Sequence, residues 1–355
     1  MDGRERLRAI FEGERVERVP FALKGWRIPQ CAAELRLRQE GMCILDARSV
    51  YAVVSPNVET RADSFTEGGV GYVRTAIRTP AGELSALTRQ AGGTTWRLEF
   101  PFKGPEDYRA LKAMVRDRRY LPSYEGFLQA QERVGGEAYF KTGAPGAPLH
   151  EVIYSFMGLD TFATEWAERR DEVLALVRAL ADSEREAFVL TARSPARLVQ
   201  IGGNYSPEVL GKPRFLEHVQ PHWEEACGIL HEGGKLVGCH LDADNRLWAA
   251  EVGASPLDWI EAFTPAPDTD MSLADARQAW PGKTLFINFP SSVHLQAAPQ
   301  IAATTRQLLR EAAPGDRFVV GITETVPEDR WPESFTTILR TLNECGRLPV
   351  DPSAL

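Results

Sequence analysis

The run Thr284–Ser292, "TLFINFPSS", leads through a helical stretch, "QIAATTRQLLREAAPG" (300–315), into Arg317–Val326, "RFVVGITETV". Both flanking pieces are short and almost wholly apolar, as strands are when a parallel sheet buries both their faces. A strand, a crossover helix and a second strand make one βαβ unit. The question is how often that unit recurs.

It recurs along most of the chain. Before it stand "AYFKTGAPG" (138–146), "ARLVQIGGN" (196–204), "KLVGCHLD" (235–242) and "DWIEAFTPAP" (258–267), each followed by a helical segment. One of these is the long "KPRFLEHVQPHWEEACGILHEGG" (212–234); the last, "RWPESFTTILRTLNECG" (330–346), closes the series. Near the start, "RERLRAIFEGE" (4–14) reads as an amphipathic helix, "RVPFAL" (18–23) as the first strand and "YAVVSPNVE" (51–59) as the second. Eight strands in this alternation predict an α/β fold, a closed (β/α)8 TIM barrel. The alternative is a doubly wound open sheet. Residues from about 46 to 104 break the pattern: "GYVRTAIRT" (71–79) and "TTWRLEF" (94–100) are β-type runs separated by turn-rich "TPAGE" and "QAGG". They predict an antiparallel β excursion toward the N-terminus of one domain spanning 1–355.

Composition narrows the function. The 355 residues carry 41 basic and 49 acidic side chains, a net charge of −8, which argues against nucleic acid as a partner. No apolar run approaches the roughly 18 residues of a membrane span. The N-terminus is charged from its second residue, unlike a signal peptide. Five scattered cysteines without a CxxC pair suit a reducing cytoplasm.

In such barrels chemistry sits at the C-terminal ends of the strands. Those ends supply Asn204, then His240 and Asp242, then Glu261, Asn288 and Glu324. His240 and Asp242 lie two apart, so on a strand they share a face, and Cys239 points away toward the helices. His240, Asp242 and Glu324 would offer one nitrogen and two oxygens to zinc or to a harder divalent metal such as manganese or iron. A bare carboxylate–histidine pair is the other reading. Glu261 is the candidate general acid or base, Asn204 and Asn288 candidate substrate donors, and Tyr154, Trp26 and Arg27 candidate pocket walls. His218, His222 and His231 lie among glutamates on one helix and read as a solvated face.

The order of segments resembles the uroporphyrinogen decarboxylase superfamily. "RERLRAIFEGERVERVPF" is similar to its first helix and strand, "RTPAGELS" (78–85) to a segment of its methyltransferase-like branches, and residues 204–242 and 259–290 to its fourth through seventh units. The decarboxylases carry an arginine-rich loop that binds substrate carboxylates. Here "KGWRIPQCAAELRLRQEGM" (24–42) offers Arg27, Arg36 and Arg38 in a different spacing. Near "SPNVE" no aspartate stands for the one the decarboxylases have after their second strand. The zinc methyltransferases of the superfamily pass methyl groups between a corrinoid protein and a thiol, using a His-x-Cys pair and a later Cys. His240-x-Asp242 and Glu324 occupy those positions with oxygen in place of sulfur. The resemblance therefore implies a small-molecule methyltransferase with a metal and a corrinoid-carrying partner. The alternatives are a metal-free decarboxylase, or a barrel that binds a ligand or corrinoid protein without turnover.

Overall fold

In the computed structural model, residues 1–91 and 94–355 are described. The chain forms two compact units: Met1–Val50 with Ser123–Ala144 and Thr191–Leu355, and Tyr51–Pro122 with Pro145–Leu190.

The first unit contains a closed barrel of eight parallel strands: Phe21–Lys24, Cys43–Ala47, Ala138–Ala144, Leu198–Gly203, Leu236–His240, Trp259–Glu261, Thr284–Asn288 and Phe318–Ile322. Each pairs with its neighbours in chain order, and the first closes on the eighth through Phe21 against Val320 and Leu23 against Ile322. The expected α/β TIM barrel is the fold, and the open sheet is not. One strand is displaced from its expected place. The second barrel strand is Cys43–Ala47, "CILDA"; Tyr51–Val54 instead pairs antiparallel with Arg119–Pro122 in the second unit. The apolar run 42–45 is fully buried, whereas Ala52–Val54 are exposed, and that difference in burial decides which segment joins the barrel.

Helix Gly3–Phe11 opens with a capping box, Asp2 and Glu5 each accepting the other's backbone N–H. Its buried face, Leu7, Ile10 and Phe11, packs with Tyr139, Trp259 and Val319 into a core cluster. Phe11 meets Trp259 edge-on, ring centres 5.2 Å apart. These residues sit low on their strands, so the N-terminal end of the barrel is packed shut.

The second unit holds the antiparallel excursion, a four-stranded sheet of Glu59–Glu67, Val70–Thr79, Gly82–Ala91 and Thr94–Glu99 in chain order. The turn read at "QAGG" falls partly on residues 92 and 93, outside the described residues. No helix among the described residues is long and apolar enough to cross a membrane.

Candidate active site

Strand parity sends alternate side chains into the barrel. Most of the interior is apolar, as expected. At the level of the sixth strand's end it is not. Glu261 is wholly buried there, and three cationic or donor side chains from other strands converge on it. Lys24, ending the first strand, places Nζ 2.9 Å from Oε2. His240, ending the fifth, places Nδ1 2.8 Å from the same oxygen. Lys141, in the third, donates to Oε1 and also to Gln200 of the fourth. His240 Nε2 lies 3.3 Å from Asp242 Oδ2, and Asp242 is half-exposed. The row Lys141–Glu261–His240–Asp242 thus runs from the sealed interior to solvent.

Its charge states follow from the contacts. Burial would push the Glu261 carboxyl up, but Lys141, His240 and Lys24 together hold it far below the usual carboxylate range. It stays ionised at any working pH, which suits it to anchoring cations rather than holding a proton. At Lys141 burial wins: the ammonium falls to about 8, Glu261 opposing the shift and Lys24 adding to it. One carboxylate shared by two ammoniums cannot satisfy both. Burial lowers His240, but Asp242 and Glu261 outweigh it and raise the imidazole above its ordinary value. Asp242 is lowered, the contact with His240 overcoming desolvation.

Gly203 makes room for this row. A Cβ at that position would stand 2.4 Å from His240 Cβ, and its φ is +152°. The backbone then turns left-handed at Asn204 (φ +58°), whose N–H bonds to the His240 carbonyl at 3.0 Å. Strand parity stops at Gln200, where the register slips. Asn204 is therefore exposed beyond the strand rather than carried on its inward face.

A second polar group lies between the seventh and eighth strands. Asn288 Oδ1 accepts from the Thr323 N–H and hydroxyl, both at 2.9 Å, and its Nδ2 donates to Glu324 Oε1 at 3.3 Å. Ser291 also donates to Glu324. Glu324 is thus engaged with Asn288 and Ser291. Among the described residues no group of three or more His, Cys, Asp or Glu side chains is placed to hold a metal ion. His240 and Asp242 make a pair of donors, not a set, so the residues as arranged do not fit a zinc centre.

The remaining candidates are dispersed. Arg27 is exposed and donates to the Lys24 carbonyl at 3.1 Å. Trp26 sits 5.8 Å from the Arg38 guanidinium, which Glu34 and Glu137 already bind. Arg36 is exposed and turned back onto its own helix. Tyr154 belongs to the second unit, stacked 4.3 Å from the His150 ring. Cys239 is fully buried, and burial holds its thiol well above the ordinary range.

Sequence reasoning missed Lys24 and Lys141. The signal was present: a lysine inside each of two apolar strands, "FALK" and "AYFKTG", on the inward parity. It also missed Asp46. With the second strand placed correctly, an aspartate lies within it; Oδ1 accepts from the Ala47 N–H, and buried Oδ2 accepts no hydrogen bond.

No protein-family model matches the chain, and no curated protein matches it. Among solved structures, a methyltransferase from Methanosarcina mazei superposes with a TM-score of 0.60 at 11% identity, covering 97% of this chain and 99% of that one. This shared architecture extends over nearly the whole length of both. A muconate cycloisomerase from Pseudomonas fluorescens aligns at 12% identity over 82% of this chain and 77% of that one, with a TM-score of 0.26.

Proposed function

We propose that this chain is a methyltransferase-like enzyme of the uroporphyrinogen decarboxylase superfamily, moving a methyl group to or from a small molecule at the barrel's C-terminal mouth. A corrinoid carried by a partner protein is the proposed donor. The full-length likeness to a methyltransferase supports the class. The observation that carries the chemistry is the Glu261–His240–Asp242 row, which handles a proton between a sealed interior and water.

A small-molecule acceptor must shed a proton as its bond to the methyl carbon forms. His240 Nε2 takes it. Nδ1–H stays on Glu261, which fixes ring orientation and tautomer, and Asp242 holds the imidazolium from the outer side. Glu261 is itself kept anionic by Lys24 and Lys141, so it does not compete for the proton. No step is assigned to a metal.

The test supplies methylcob(III)alamin with thiol and amine acceptors and follows loss of the methylated corrinoid spectrum. Wild-type protein should turn over with one of them, and His240→Ala should lose about a hundredfold or more. Wild-type protein inert with every acceptor, alone and with corrinoid protein, would overturn the reading. Elemental analysis of both proteins belongs with it: stoichiometric zinc lost in His240→Ala would bring back a metal centre.

One set of observations favours metal-free decarboxylation as a second reading. Lys24 and Lys141 supply the cations that a substrate carboxylate needs, and Asp46 supplies an aspartate on the second strand. Release of carbon dioxide from an acidic substrate without corrinoid would select it.

A further inference from the structure

Lys141 has surroundings that a purely structural lysine would not need. It stands in the middle of the third strand, inward and almost wholly buried, at a position where such barrels place a branched apolar side chain. Two residues nearer the mouth on the same face is Gly143. It is exposed, and a Cβ built there would meet no atom within 4 Å. On the neighbouring strand Gln200 accepts from Lys141. The space on the mouth side of Lys141 is thus left open by a residue without a side chain. Trp259 stands 5.6 Å from the amine as an apolar wall, and Glu261 touches it as a fixed anion.

We propose that Lys141 is a nucleophilic amine that forms a covalent imine with an aldehyde or ketone entering through the space above Gly143. The neutral amine attacks the carbonyl carbon, the C–N bond forms, and the carbonyl electron pair moves to oxygen. The displaced N–H proton passes from the nitrogen to that oxygen, and the anionic Glu261 steadies the transient charge on the nitrogen. A second proton, supplied by the His240 imidazolium, lets the hydroxyl leave as water while the nitrogen pair forms C=N. Amine, carbonyl and one proton thus give a protonated imine and water. Two features ready the amine. Lys24 disfavours a second charge beside it, and burial removes the water that would stabilise the ammonium, so its neutral form is populated near pH 8. The inference is independent of methyl transfer, needing neither corrinoid nor a methyl acceptor.

The test is reductive trapping. Folded protein is incubated at pH 8 with glyoxylate, pyruvate or glycolaldehyde, borohydride is added, and modified lysines are mapped by peptide mass spectrometry. Lys141 should be modified at least about tenfold faster than the exposed Lys103 and the half-buried surface Lys212 with one of these probes. Gly143→Val puts a side chain into the open space, with a Cβ that meets no atom within 4 Å, so it should suppress trapping at Lys141 by about tenfold while the melting temperature holds. Trapping at Lys141 no faster than at the surface lysines would overturn the proposal, as would undiminished trapping in a folded Gly143→Val protein.

Discussion

Replacing Lys141 by Met tests the charge balance of the site in the absence of any substrate. An ordinary lysine value of 10.5 falls to about 8 in the fold. At about 1.4 kcal/mol for each tenfold change, carrying the charged amine inside the barrel costs about 3 kcal/mol. The sign follows from proton counting. Between pH 8 and 10.5 the unfolded chain still holds the Lys141 proton while the native protein has released it. Native stability from this group therefore rises with pH across that window and is lowest below it. Lys141→Met removes the titration but leaves Glu261 bonded to Lys24 and His240. Its unfolding free energy relative to wild type should be greatest at pH 7. That advantage should shrink by about 3 kcal/mol as pH rises to 10.5. Urea titrations of both proteins at half-unit pH steps, with slopes compared to confirm two-state unfolding, measure the gap directly. Other groups that titrate in this range act on both proteins and cancel in the difference. A gap that stays constant or widens toward high pH would refute the argument that burial outweighs Glu261 at Lys141.

Asp242→Asn should lower the His240 titration midpoint, read from imidazole proton shifts. It should also destabilise the protein most below pH 6.5, with the difference fading as pH rises through the folded-state value of His240. Gly203→Ala forces a side chain against His240 at a positive φ and should cost about 2 kcal/mol or more by chemical denaturation. Asn288→Ala leaves the buried Thr323 N–H without its acceptor and should cost about 1–3 kcal/mol, measured the same way.

The architecture was legible because buried parallel strands announce themselves as unbroken apolar runs, and seven of the eight were placed by that signal. The second strand escaped it. "CILDA" is five residues long and ends in Asp46 and an exposed Ala47, while "YAVVSPNVE" has a longer β-type run whose exposure the sequence does not display. At the site, parity brought His240 and Asp242 together correctly, because a single strand and the residue just beyond its end fix both. That Glu261 joins them, rather than Glu324, depends on how far each neighbouring strand is staggered, and a one-dimensional pattern carries no stagger. Glu324 lies past its strand's end, where loop geometry brings it to Asn288 and Ser291. Lys24 and Lys141 were passed over because a lysine in an apolar run reads as a strand boundary. Only the closed barrel shows a carboxylate opposite.

Closure of the first strand on the eighth has a consequence for how the protein comes into being. Lys24 is made early in synthesis, Glu261 more than two hundred residues later, and the strand that closes the ring on the first is the last of the eight to be made. Until that final pairing forms, Glu261 has no complete set of cations and would be costly to bury. A chain interrupted before residue 318 should therefore hold no partial version of the site. The charge cluster needs the closed ring, and the ring needs loops of great length to be closed first. Catalytic competence then marks a finished chain, and intermediates would be silent.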